Sequence, residues 1–429
     1  MPAEAPMTAE PAVPGRPARG EAKLLALIGT GHFFSHFYLI VLPPLFPLLE
    51  AELGVGYAAL GLLMALPNLA TMLLQTPVGF LVDRFGARRP LVIGLIVMGG
   101  AVAGAGLAPG YGALMVLMVL MGVGNSVFHP ADYAILAARI EPGRLGRAFS
   151  IHTFAGSLGW AASPAVVVFL AALWSWHVAL VIAGLCGVAM ALVILTQGRE
   201  LDAQRTAPGT AVKGAAPSTA APASAPAPGK RGGLGLLLSA PMLLLFVYMM
   251  MASVATSGLN GFTVTALVKL HGADLITANA ALTALLVASA AGVLAGGVLA
   301  DRIRRHDLII SAGFFVAAGF LVIIGLISLP LAAIVAAMTV VGLARGAIQP
   351  SRDMMVRKVA PEGQVGAVFG FVTTGMNVGG AVAPVFFGWL VDRGLVSWVF
   401  MLAALAMLLA LAAALAANRQ GARHLAAAE

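Results

Sequence analysis

Two trios of polar residues, each inside a long apolar stretch, are the side chains best placed for chemistry in this chain. Both trios have the spacing i, i+4, i+7, and the second follows the first at an offset of 220 residues. They are Asn125, His129 and Asp132 in the first copy, and Arg345, Gln349 and Arg352 in the second. This spacing puts each trio on one helical face. Because polar groups in a membrane span usually face a cavity or a partner, unlike charges at equivalent positions indicate two halves that enclose one polar pathway.

Histidines in the first apolar stretch are candidates for proton transfer. His32 and His36 lie four residues apart and share a helical face. Histidine gains and loses a proton near neutral pH, which suits a proton-coupled step, and His129 and His152 are further candidates. The alternative is that each is a buried, hydrogen-bonded structural residue. We expect no metal, because no carboxylate or cysteine joins His32 and His36 at ligand spacing, and no cofactor.

The composition identifies the environment in which these residues act. Of 429 residues, 60% are hydrophobic and only 10% are charged, whereas soluble domains carry about 25% charged residues. We therefore predict an all-α integral membrane protein. The net charge of +8 could indicate nucleic acid, but the basic residues lie in short loops between apolar stretches, which the membrane explains better. The single cysteine, Cys186, excludes a disulfide framework.

Twelve apolar stretches are long enough to span a bilayer, which takes about 20 residues. They are predicted near 24–48, 57–82, 90–108, 112–137, 147–171, 176–196, 240–268, 275–300, 307–328, 331–356, 365–391 and 396–417. An even number puts both termini on one side. The loops of the opposite side hold only Lys269 and Arg393, so the positive-inside rule predicts cytoplasmic termini in a bacterial inner membrane.

The spans divide into two six-helix halves, since residues 122–164 align without a gap with 342–384. Between the halves lies a segment rich in Ala, Pro, Ser and Gly that cannot bury enough surface to order itself. The predicted domains are a disordered cytoplasmic tail (1–22), an N-terminal bundle (23–198), a flexible cytoplasmic linker (199–238), a C-terminal bundle (239–418) and a cytoplasmic tail (419–429).

Two loops carry a recognisable signature. Residues 79–89 read GFLVDRFGARR, and residues 297–306 read GVLADRIRRH. Both resemble the G-x-L-x-D-R-x-G-R-R loop of the major facilitator superfamily, which implies two pseudo-symmetric six-helix bundles and a transporter rather than an enzyme. In that family the loop stabilises one conformation of the cytoplasmic gate. The resemblance implies gating roles for Asp83, Arg84, Arg88, Asp301 and Arg302.

Within the superfamily, residues 122–132, GVGNSVFHPAD, are similar to the S-x-F-H-P segment of fosmidomycin-resistance-type exporters. In the superfamily, spans 1, 4, 7 and 10 line the central cavity, and spans 4 and 10 approach each other at the cytoplasmic end. Placed by helical rise, Asp132 and Arg352 lie at the cytoplasmic rim, where we predict an inner-gate ion pair. Arg345 lies near the midplane and is predicted to contact an anionic substrate.

The remaining site predictions follow from the same placement. Substrate contacts are predicted for Arg345, Asn125, His129, Gln349, His36 and Asn260, the last from a neutral polar face of span 7. Proton coupling is predicted for His32, His36, His129 and Asp132.

These features predict a secondary transporter that works by alternating access. No phosphate-cradling Gly-Lys-Ser/Thr loop is present, which argues against ATP as the energy source. The favoured function is proton-coupled efflux of a drug-like or anionic compound by an antiporter that confers drug resistance. Its partners would be a small-molecule substrate, protons and the lipid bilayer, with no nucleic acid and a monomeric chain. The alternatives are proton-coupled uptake or facilitated diffusion of an organic acid, and a membrane sensor that transports nothing.

Overall fold

The computed structural model describes residues 19–141, 144–201, 238–303, 305–359 and 365–426, and its regular structure over these ranges is helical throughout. Twelve helical segments are long and apolar enough to cross a membrane, which confirms the predicted number. We number them spans 1 to 12 in chain order. The tail predicted over 1–22 and the linker predicted over 199–238 fall almost wholly outside the described residues.

The first half contributes six spans, of which spans 1 and 4 each consist of two helices. Span 1 comprises Arg19–Leu39 and Phe46–Leu53, separated by a 3-10 turn at Pro43–Leu45; span 2 is Tyr57–Phe85, span 3 Arg88–Ala105, span 4 Tyr111–Asn125 with Phe128–Arg139, span 5 Leu145–Leu173 and span 6 Trp176–Gln197. A short 3-10 turn, Gly198–Leu201, follows span 6.

The second half contributes six continuous helices. Span 7 is Ala240–His271, span 8 Leu275–Arg302, span 9 His306–Leu326, span 10 Leu331–Val359, span 11 Val365–Asp392 and span 12 Trp398–Ala426.

Span 4 is broken seven residues before Asp132. The first helix of the span ends at Asn125, and the second continues to Arg139. Asp132 is therefore seven residues, or about 10 Å, from the end of the span, and its side chain is fully buried. Its predicted place at the cytoplasmic rim, as one half of an inner gate, stays a prediction.

Glycines set the packing within each half. A Cβ on Gly184 of span 6 would lie 2.3 Å from the backbone nitrogen of Ala103 in span 3. In the second half, a Cβ on Gly346 of span 10 would lie 2.1 Å from the carbonyl oxygen of Ser289 in span 8. Small residues let helix backbones approach closely where lipid offers no hydrophobic driving force. Each half is thereby a tightly packed bundle.

The two bundles contact each other at the side opposite the chain termini. Span 2 packs against span 11, and span 5 against span 8, whereas spans 4 and 10 make no comparable contact. The Asp392 carboxylate accepts hydrogen bonds from the backbone N–H groups of Tyr57 (2.6 Å) and Ala58 (2.9 Å), so a residue of one bundle caps a helix of the other. Asn279 donates to the Pro164 carbonyl oxygen at 3.0 Å. The structure is therefore closed on this side and open on the side of the termini.

The carboxylate of Asp392 should stabilise this closed side. A capping carboxylate at a helix N-terminus contributes about 1 kcal/mol, so Asp392→Ala should shift the bundles toward separation by roughly fivefold. Distances between spin labels on the two bundles would report the shift. Arg393→Gln removes the neighbouring charge without the cap and serves as the control; an equal effect from it would refute the capping role.

Candidate functional site

Five titratable side chains meet inside the N-terminal bundle. They come from spans 1, 4 and 5, and they are His32, His36, His129, Asp132 and His152. The rings of His32 and His152 stack with their centroids 3.8 Å apart, and His36 lies 4.3 Å from His32. His129 is 5.6 Å from His32. We call these five residues the histidine cluster.

Asp132 is the centre of the histidine cluster. Its Oδ2 atom lies 3.2 Å from His32 Nδ1 and 3.5 Å from His152 Nε2. All three side chains are almost completely buried, with exposed fractions of 0% for Asp132 and 2% each for His32 and His152. A buried carboxylate needs a cation or hydrogen-bond donors beside it, and the two imidazoles can serve as either. The cluster can therefore hold a proton or a cation.

Glycine in span 5 permits the rings to approach. A Cβ on Gly156 would lie 2.8 Å from His32 Cδ2 and 2.8 Å from His36 Nδ1. A Cβ on Gly159 would lie 2.1 Å from the carbonyl oxygen of Phe33, so span 5 presses directly against span 1. Sequence reasoning gave no role to Gly156; its position four residues after His152 is the signal that could have indicated one.

A polar cavity lies within the C-terminal bundle, lined by spans 7, 9, 10 and 12. Its polar lining consists of Tyr248, Thr256, Arg345, Gln349 and Arg352. The second trio therefore faces one cavity, as its spacing indicated. Thr256 belongs to the neutral polar face that the sequence indicated for span 7, whereas Tyr248 is a functional candidate that the sequence predictions did not include.

Arg345 is the least neutralised charge in this cavity. Its Nη2 donates to Thr256 Oγ1 at 3.0 Å, and its buried Nη1 has no hydrogen bond to protein. No carboxylate in the described part of the chain lies within ion-pair distance of it. A guanidinium is always charged and matches carboxylate and phosphate geometry, so this one is suited to an anionic ligand.

The two halves of the predicted inner gate are not paired in this conformation. Asp132 contacts histidines, and Arg352 Nε donates to Asp353 Oδ1 at 2.9 Å. The bundles are apart on this side, so an Asp132–Arg352 pair would require both a closure and an exchange of partners. The gate pair stays a prediction for another conformation.

The remaining predicted substrate residues lie away from the cavity. Asn125 is buried, and its amide donates to Thr71 Oγ1 of span 2 at 3.1 Å. Asn260 is also buried, in span 7 near the closed side. Asn125 thus connects two helices, a common role for amides in membranes, whereas Asn260 Oδ1 is buried without a hydrogen bond to a protein group. Their predicted contact with substrate stays a prediction.

The loop residues predicted to gate are on the open side. Asp83, Arg84 and Arg302 are exposed, and the side chain of Asp301 lies outside the described residues. Arg88 donates a hydrogen bond to the Leu195 carbonyl oxygen, which ties the start of span 3 to span 6. The gating roles of these residues stay predictions.

The metal-binding capacity of the histidine cluster was not foreseen. Along span 1 no carboxylate lies at ligand spacing from His32 and His36, but tertiary packing brings Asp132 and His152 from two other spans. One ligand atom from each of His32, Asp132 and His152 lies within 4.8 Å of the other two. The donor set of two imidazoles and a carboxylate fits a transition-metal ion.

The fold, the internal repeat and the charged interior define a membrane transporter made of two bundles. Comparison with known families identifies the family to which it belongs. The family model of the Major Facilitator Superfamily matches residues 28–266 and 245–428, so the chain belongs to that superfamily. It is 29% identical over 296 residues to the fosmidomycin resistance protein of Escherichia coli K12, covering 68% of each chain.

Other relatives differ in what their names describe. The 4-hydroxybenzoate transporter PcaK of Pseudomonas putida is 30% identical over 150 residues, which is 35% of this chain and 33% of that protein. Among solved structures, a bacterial homologue of the human lysosomal transporter Spinster has a TM-score of 0.76 at 14% identity, covering 95% of this chain and 99% of that one. The expected superfamily, fold and non-enzymatic class are thereby confirmed.

Proposed function

We propose that this protein exports a small anionic compound by alternating access, with proton influx as the energy source. The observation that carries this proposal is Arg345, a cation in the cavity of the C-terminal bundle whose described surroundings provide a hydroxyl but no carboxylate. Leaving a buried charge unpaired is costly, so a ligand that supplies the negative charge is favoured. Export, rather than uptake, is favoured by the similarity to the fosmidomycin resistance protein.

The proposed orientation follows from the basic loops. Both termini, the linker and the tails would lie in the cytoplasm of a bacterial inner membrane, and the chain would act as a monomer. The open side would then face the cytoplasm, so the cavity would take up substrate from inside the cell. Separation of the two bundles on the other side would then release the substrate outside the cell.

Coupling is proposed to reside in the N-terminal bundle. Asp132 faces His32 of span 1 and His152 of span 5, with His36 and His129 beside them. A proton bound here changes the charge of the N-terminal bundle. Substrate and proton would thus bind to different bundles and influence one equilibrium between conformations, which is what coupling requires.

Export can be tested with fosmidomycin, a phosphonate anion, as the first probe. Cells that express the protein should tolerate a higher concentration than cells that express the Arg345→Gln variant at equal membrane abundance. Unchanged tolerance would count against fosmidomycin as a substrate, and a panel of other anions would then be screened. A sensor would show no flux of any of them in proteoliposomes.

Uptake of an organic acid is the second candidate, favoured by the similarity to the 4-hydroxybenzoate transporter. Accumulation of labelled 4-hydroxybenzoate in cells would support it. Efflux of the same compound from preloaded cells would support export instead.

If transport is coupled to protons, Asp132→Asn should impair transport driven by a pH gradient but leave exchange of substrate across the membrane. In proteoliposomes, a pH gradient should drive substrate flux by the normal protein, and the variant should lose about tenfold or more of that flux while it still exchanges substrate across the membrane. Asp307→Asn, which removes a carboxylate paired locally with Arg305, should behave normally. Flux through the normal protein that ignores the gradient would refute coupling.

A further inference from the structure

We propose that the histidine cluster contains a binding site for a divalent transition-metal ion of the zinc type, formed by His32, Asp132 and His152. The three residues come from spans 1, 4 and 5, and none is adjacent to another in sequence. The proposal concerns binding to the N-terminal bundle and does not depend on what the protein transports.

The distances between ligand atoms already suit such an ion. Zinc is bound at 2.0–2.2 Å by imidazole nitrogen and carboxylate oxygen, so neighbouring ligands of a tetrahedral site are about 3.3–3.5 Å apart. Asp132 Oδ2 lies 3.2 Å from His32 Nδ1 and 3.5 Å from His152 Nε2. Two edges of the coordination polyhedron are therefore formed, and the third is no longer than 4.8 Å.

The ligand atoms are also free to coordinate. Neither oxygen of Asp132, nor His32 Nδ1, nor either ring nitrogen of His152 has a well-formed hydrogen bond to a protein group, and each is fully buried. Buried polar atoms in proteins are nearly always satisfied, so a concentration of them points to a bound species. Three such ligand atoms within 4.8 Å of one another favour a cation.

The chemistry of the ligands selects the ion. Imidazole nitrogen is a ligand for zinc, nickel, copper and iron, whereas magnesium and calcium require oxygen ligands. Three protein ligands leave a fourth position open, as in zinc sites that bind a further molecule. His129 and His36 lie close enough to influence that position, with His129 5.6 Å and His36 4.3 Å from His32 between ring centroids.

A bound ion would stabilise the folded protein. An ion held by three spans ties the broken span 4 to spans 1 and 5, and binding to the folded state alone raises the unfolding temperature by mass action. Zinc should therefore stabilise the protein against heat, and magnesium should not.

The test is equilibrium dialysis of Zn²⁺ against purified protein without an affinity tag, in detergent, followed by thermal unfolding. We expect one ion per chain and a higher melting temperature. His32→Gln, Asp132→Asn and His152→Gln should each weaken binding at least tenfold, since loss of one of three ligands removes a coordinate bond. His177→Gln, which alters a half-exposed histidine beside Glu52, should leave binding unchanged.

A second measurement uses the unaltered protein, so it does not depend on whether the variants fold. Co²⁺ added to the unaltered protein should give the intense visible absorption of a four-coordinate site, and Zn²⁺ should remove it. Absence of that absorption, or Zn²⁺ binding that survives all three substitutions, would overturn the proposal. Because no transport is measured, a negative result here leaves proton coupling and anion export to their own tests.

Discussion

Gly61→Leu should prevent the bundles from closing on the side opposite the termini and thereby abolish transport. A Cβ on Gly61 of span 2 would lie 2.2 Å from the carbonyl oxygen of Pro384 in span 11. The added side chain would meet backbone atoms of Pro384, which cannot move aside as the end of a flexible side chain would. Overpacking at such a contact costs about 1–3 kcal/mol, which would reduce the closed state roughly five- to 150-fold.

The measurement is a distance between spin labels on the two bundles, alongside flux. In a Cys186→Ser background, labels at Ala51→Cys and Leu395→Cys would lie on the two bundles at the closed side. Gly61→Leu should lengthen their separation. Gly100→Leu is the matched control, since a Cβ on Gly100 of span 3 meets nothing within 4 Å. Normal flux in Gly61→Leu would mean that this contact is not part of the transport cycle.

Arg345→Gln should lose most of the binding of an anionic substrate. A charge-assisted hydrogen bond contributes about 1.5–3 kcal/mol, so affinity should fall roughly ten- to hundredfold. Arg345→Lys should retain part of it, because the charge remains while the two-pronged geometry is lost. Thr256→Val should have a smaller effect, because it removes only the hydroxyl that accepts from Arg345 at 3.0 Å.

Binding of fosmidomycin, or of the anion that a screen identifies, to purified protein would check this prediction, since it separates affinity from transport rate. Arg393→Gln is the control, a charge change at an exposed position outside the cavity. An equal loss in Arg393→Gln would indicate general electrostatic attraction. No loss in Arg345→Gln would remove the main support for an anionic substrate.

The two bundles differ in the charges that they carry at equivalent positions. Equivalent positions of the internal repeat hold Asp132 and Arg352, yet the first belongs to a buried cluster of histidines and the second to a cavity in which it pairs with Asp353. One half of the repeat can thus bind cations and the other anions. This difference in charge is consistent with the coupled transport of a cation and an anion by one molecule.

Sequence alone determined the membrane class and the twelve spans, and the prolines of span 1 account for its break. These depend on local properties: twenty apolar residues must cross the bilayer as a helix, and Pro43 and Pro44 cannot continue one. The observed helix ends at Leu39 and resumes at Phe46 after a 3-10 turn. Helical spacing also placed Arg345, Gln349 and Arg352 on one face, which lines one cavity.

Only the tertiary structure decided which side chains meet. His32, Asp132 and His152 are separated by 100 and 20 residues in sequence, and their contact comes from the packing of spans 1, 4 and 5 and the room left by Gly156. Periodicity within one helix describes its faces but carries no information about which helix packs against it, or at what height. For that reason the sequence predicted Asp132 opposite Arg352, whereas packing placed it among histidines.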